Sequence, residues 1–186
     1  MDFKGGRVEV YAADNAVRSS ESVDIKGGSL YLEAGNDALK TSSAKKPGKG
    51  YVEMTGGELF ILAGGDGISA ESEITLFAGE AQIHCTGLNA DKSSQALKAK
   101  TEIRIKGAEL FALQNRAPED LNFYGSHGYI LEALSGKAGD IISLPSGREY
   151  EAINEFKALI YSYPELSSGQ EYEIYKGTEL FNYKAA

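Results

Sequence analysis

The chain has 186 residues, a net charge of -8 and a pI near 4.9, with one cysteine and no tryptophan. That acidic balance excludes nucleic acid and anionic membrane as main partners, and the lysines and arginines form no run that would restore a basic patch. No segment approaches the roughly 18 apolar residues that membrane insertion needs, and a lone cysteine excludes a disulfide framework.

The chain opens at Met1-Asp2-Phe3-Lys4-Gly5-Gly6 in the middle of a phrase that then recurs, so its true start is expected upstream. The phrase has two apolar residues at spacing two, a small-small pair, then two more apolar residues at spacing two. After the truncated first copy (Gly5-Gly6, then Val8 and Val10) come Val23-x-Ile25, Gly27-Gly28 and Leu30-x-Leu32. Val52-x-Met54, Gly56-Gly57 and Leu59-x-Ile61 follow, then Ile74-x-Leu76, Ala78-Gly79 and Ala81-x-Ile83, and last Ile103-x-Ile105, Gly107-Ala108 and Leu110-x-Ala112. Positions 5, 27, 56, 78 and 107 lie 22, 29, 22 and 29 residues apart. A fixed period near 22 residues marks a solenoid. Strict alternation is the strand period, so the fold class is all-β, a parallel β-helix of ~22-residue coils.

In a solenoid each repeat position becomes a ladder on the surface. A small inward column joins Ala12, Ala34, Ala63 and Cys85, and Cys85 reads there as a buried structural thiol. The longer spacings are read as turn insertions, Ser43 to Gly50 (an exposed basic loop) and Thr86 to Ser93. Residues 1–115 are read as coils. From Asn115-Arg116-Ala117-Pro118 the pattern changes, and residues 116–186 are read as a β-rich cap with antiparallel strands near Tyr129, Gly139 to Leu144, Ala158 and Tyr172.

Three ladders are candidates for chemistry. At the turn after each second strand, Asn15, Asp37, Asp66 and Gln95 stack, with Asp14 and Asn36 beside them. Coils about 4.7–4.9 Å apart suit a calcium ion between stacked oxygens, with Asp37–Asp66 the best pair. The alternative is an Asx ladder bonded to the corner backbone. On the outside of the second strand run Glu9, Tyr31, Phe60, Gln82 and Phe111. Tyr31, Phe60 and Phe111 are expected to form an exposed platform for sugar rings, unless the C-terminal segment covers them. Beside them Ser29, Glu58, Glu80 and Glu109 repel one another unless a cation intervenes. The third ladder, Arg18, Lys40, Ser69 and Lys98, would hold the carboxylates of a uronic-acid polymer, and Arg18 or Lys40 would be the base of a calcium-dependent lyase. The two histidines, His84 and His127, show neither nucleophile nor metal spacing, and no catalytic set emerges.

Gly27 to Ser42 and Gly56 to Ile68, together with the tail from Ala158 to Tyr172, resemble the bacterial carbohydrate-binding β-helix domain proteins. The resemblance implies a right-handed parallel β-helix like that of polysaccharide lyases, on the cell surface or secreted. It further implies calcium between coils and binding of plant cell-wall polysaccharide, with no established catalytic set. Asn15 and Gln95 depart from the family's turn. The expected function is therefore an extracellular polysaccharide-binding module, a monomer or part of a larger surface protein. A calcium-dependent polysaccharide lyase and an adhesin that binds protein are the alternatives.

Overall fold

A computed structural model of the chain describes residues 1–42, 48–87, 94–118 and 122–186. Most of both turn insertions, residues 43–47 and 88–93, thus lies outside the described residues. Among the described residues there are strands and turns and no helix. The strands stack in parallel into a β-solenoid, as the period requires.

Each full coil contributes to three sheets. The strands Val23–Ile25, Val52–Met54, Glu73–Leu76 and Glu102–Ile105 stack in the first. The second, here the aromatic sheet, stacks Arg7–Ala12, Ser29–Ala34, Glu58–Ala63, Glu80–Cys85 and Glu109–Gln114. The third, here the lysine sheet, stacks Val17–Ser19, Leu39–Thr41, Ile68–Ala70 and Leu97–Ala99. The registers match the inward columns residue for residue: Val23 on Val52 on Ile74 on Ile103, and Leu30 on Leu59 on Ala81 on Leu110. Their side chains fill the interior, where Val52, Met54, Ile61, Ile74 and Leu76 are fully buried. A slip of one residue would turn every one of them outward, so the apolar alternation locks the stack.

The small pair has a steric cause. Gly28, Gly57 and Gly79 sit at φ 87°, 90° and 98°, a left-handed conformation that favours glycine. A Cβ on Gly57 would also lie 2.6 Å from the Gly28 carbonyl oxygen, and one on Gly79 would lie 2.5 Å from that of Gly57. The coils therefore close on one another at this corner with backbone against backbone. Ala108 takes the same place in the last copy without positive φ, since none of the described non-glycine residues has it.

The parallel stack ends under the C-terminal segment. Phe123–Gly125 adds one more parallel strand to the first sheet, so the last parallel strand falls inside the segment read as cap. On the aromatic sheet the direction reverses: Ala158–Ser162 pairs antiparallel with Glu109–Gln114, and Tyr129–Glu132 pairs antiparallel with Ala158–Ser162. The open edge of the last coil is thereby covered, which a solenoid end requires. A four-stranded antiparallel sheet of Glu149–Glu151, Ile141–Ser143, Glu171–Lys176 and Glu179–Lys184 completes the segment.

Two apolar cores result. One fills the coils. The other lies between the outer face of the last aromatic-sheet strand and the cap, and contains Phe111, Leu113, Ile142, Tyr150, Phe156, Leu159 and Tyr161. The strand Ala158–Ser162 is buried on both faces, with Ile160 in the first core and Leu159 and Tyr161 in the second.

Candidate functional site

The outward columns of the aromatic sheet form one continuous ladder of rings. Tyr31 and Phe60 are in register, with centroids 5.0 Å apart and planes 4° from parallel. Tyr11 extends the ladder at one end, tilted by 41° against Tyr31 at 5.6 Å. His84 packs beside Phe60 at 5.7 Å, then Phe111 beside His84 at 5.9 Å. Tyr150, from the cap, lies flat on Phe111 at 4.2 Å. The coil spacing of about 4.8 Å thus sets the ring spacing, and offset stacking adds to the burial of each pair.

The ladder has two halves. Tyr11 is 66% exposed, and Tyr31 and Phe60 are half-buried. His84 and Phe111 are fully buried. This corrects the expected platform: Phe111 is the floor of the cap's core and is closed to any sugar. The C-terminal segment folds back over the last coil because that coil's outward residues, Phe111 and Leu113, are apolar. Tyr31 and Phe60 do lie side by side on the open half, but their faces turn toward each other. The ring with the most open surface is Tyr11.

Beside Tyr11 lies a groove of about 430 Å³ at the end of the open strands, lined by Tyr11, Glu33, Leu62 and Thr86 over the small corner residues Ala13, Gly35 and Gly64. Small residues are enforced at that corner: a Cβ on Gly35 would lie 2.3 Å from the Ala13 carbonyl oxygen, and one on Gly64 would lie 2.4 Å from that of Gly35. Carboxylates edge the face. The Tyr31 hydroxyl donates to Glu33 (3.3 Å) and the Tyr11 hydroxyl to Glu9 (3.4 Å). Burial and the carboxylate beside it raise the pKa of the Tyr31 phenol above the usual tyrosine value, so it stays a neutral donor. Sequence reading missed Tyr11 and the groove, because the column Tyr11, Glu33, Leu62, His84, Leu113 shows no single residue type. The run of small residues at the corner was the available signal.

Further along the same face, Arg148 of the cap pairs with both Glu80 and Glu109, reaching Glu109 at 3.3 Å. It is the cation that the glutamate ladder requires. Burial, its largest influence, raises the Glu109 carboxyl above the ordinary glutamate range against the pull of Arg148.

The Asx ladder lies at the corner between the aromatic and lysine sheets. Asp37 and Asp66 are buried and stacked. Asp37 Oδ1 accepts the backbone N–H of Asp66 (2.9 Å), and Asp66 Oδ1 accepts that of Gln95 (3.0 Å). The other oxygens take lysines: Lys40 Nζ donates to Asp37 Oδ2 (2.7 Å), and Lys98 Nζ to Asp66 Oδ2 (2.9 Å). Beside them the Asn36 amide donates to Asp14 Oδ1 (3.1 Å). Asn15 Oδ1 is buried with no hydrogen-bond partner. Arg18 is exposed on the lysine sheet and stacks in register with Lys40. The residues first grouped for sugar therefore divide: Tyr31 and Phe60 lie on one sheet, and Arg18 and Lys40 lie around the corner on another.

The Asp37–Asp66 pair, expected to be the best calcium site, has no carboxylate oxygen without a partner in this arrangement. Calcium takes 6–8 oxygens at roughly 2.3–2.6 Å, whereas both oxygens of Asp37 and both of Asp66 already face an N–H or an ammonium group. Among the described residues no group of three or more His, Cys, Asp or Glu side chains comes together to hold a metal.

The described residues form an all-β, repeat-built solenoid whose aromatic sheet is open on its first coils. Residues 1–117 match the family model described as carbohydrate-binding domain-containing protein. The chain belongs to that family, and a carbohydrate-binding role follows from the membership. No curated protein and no solved structure matches the chain.

Proposed function

We propose that the open half of the aromatic sheet binds an uncharged polysaccharide, outside the cell, at the groove beside Tyr11. One observation carries the reading: the groove joins an exposed tyrosine ring and the Leu62 side chain to one carboxylate and one hydroxyl. A sugar ring has the complementary surface, an apolar face of C–H groups edged by hydroxyls. Ligand sites combine apolar walls with a few placed polar groups in this way. The Tyr11 ring supplies the stacking face, and Glu33 accepts a sugar hydroxyl. The neighbouring charges set the class of glycan: Glu9, Glu33 and Glu58 face this side of the sheet with Arg7 as the cation beside them. A uronic-acid polymer would be repelled there.

A glycan array that carries neutral and acidic polysaccharides side by side tests this. Binding to neutral chains is expected, and Tyr11→Ala is expected to weaken it about tenfold, which corresponds to ~1.4 kcal/mol. Retention only on acidic polymers, or a Tyr11→Ala variant that binds like the parent, would overturn the reading.

A further inference from the structure

We infer that the corner ladder is stapled by lysine rather than by calcium, so that the ammonium groups of Lys40 and Lys98 stand where a metal would otherwise neutralise the stacked aspartates. This goes beyond the sugar site, which lies on another face.

The argument starts from charge. The corner and its adjoining ladder hold three carboxylates, Asp14, Asp37 and Asp66, and three cations, Arg18, Lys40 and Lys98. The column is neutral as built, so a divalent ion would enter beside three positive groups with no excess negative charge to draw it.

Geometry then assigns each lysine its task. Lys40 pairs with Asp37 of its own coil, three residues earlier. Asp66 has no such neighbour, because Ser69 occupies that place in the ladder. Lys98, directly over Ser69, reaches back one coil and takes the carboxylate instead. The Lys98–Asp66 pair therefore spans two coils. The carboxylates add a second link, since Asp37 and Asp66 each accept a backbone N–H from the coil that follows. Two nearly buried charges are thus fully partnered, which is the condition for leaving them in a corner without metal.

Thermal unfolding of the whole chain in EDTA and in millimolar calcium tests the inference directly. Equal melting temperatures within about 1 °C are expected. A site loaded about 100-fold over its Kd would raise the value by roughly 5–10 °C, and a rise of that size would overturn the inference. Lys98→Met removes the charge and keeps the stem. It is expected to melt about 3–8 °C lower in EDTA, as a buried carboxylate stripped of its cation demands, and Lys98→Arg is expected to recover most of that loss. If Lys98→Met melts with the parent, or Lys98→Arg is as unstable as Lys98→Met, the lysine is no staple. Should Lys98→Met fail to fold, the parent's response to calcium still decides.

Discussion

One ring ladder runs the length of the aromatic sheet, yet its two ends serve different purposes. At the first coils Tyr11, Tyr31 and Phe60 face solvent; at the last, His84 and Phe111 lie beneath Tyr150. Phe60 and Phe111 occupy the same repeat position two coils apart. The difference teaches that a ladder position sets where a side chain points, while a remote segment decides whether it meets water. In this chain that segment is the cap, which borrows the outside of the last coil as half of its own core.

Substitution at the shared position breaks the comparison most sharply. Phe111→Ala is expected to destabilise the fold by about 3–5 kcal/mol, measured by urea denaturation, whereas Phe60→Ala, at a half-buried site, is expected to cost less than half as much. Equal losses would show that the cap does not seal the ladder.

The second effect is pH-dependent. Burial holds His84 neutral and lowers its pKa to about 4, and its Nδ1 is buried without a partner. Because the folded value lies below the unfolded one near 6.5, the unfolded chain takes up the proton first as pH falls. Stability is full above pH 6.5 and declines toward pH 4, by about 2 kcal/mol between pH 7 and pH 5. Burial lowers the pKa of His127 as well, which adds in the same direction. Denaturation midpoints at the two pH values for the parent and for His84→Leu check the sign: the leucine variant is expected to show the flatter profile.

Arg148→Met is a smaller perturbation. Its side chain is 46% exposed, so solvent screening limits the loss to about 1 kcal/mol, with faster hydrogen exchange in the strand Glu149–Glu151 as a local readout. Smallest for stability is Tyr11→Ala, within about 0.5 kcal/mol because the ring is exposed, even though it is the change expected to weaken glycan binding most.

The strands, their registers and the inward columns were legible because alternation and a common period constrain every coil at once. The stacking of Asp37 on Asp66 and of Tyr31 on Phe60 followed from the same alignment. The burial of Phe111 was not legible. Its cover comes from Tyr150, 39 positions further on in a segment that does not repeat, so no ladder announces the contact. The lysines of the corner were visible as a column, but the reach of Lys98 back to Asp66 depends on Ser69 leaving a place empty, a local exception that an averaged repeat conceals. Tyr11 was hard to read because its own column mixes residue types, and only the small residues Ala13, Gly35 and Gly64 mark the groove beside it.

Cys85 replaces alanine in the small inward column and is wholly buried. Its burial raises the thiol pKa far above the ordinary cysteine range, so the sulfur is both shielded and in the unreactive protonated state. Alkylating reagents therefore reach it only when the coils part. Its labelling rate is a built-in clock for opening of the tower, with no introduced probe and no second thiol to confuse the signal.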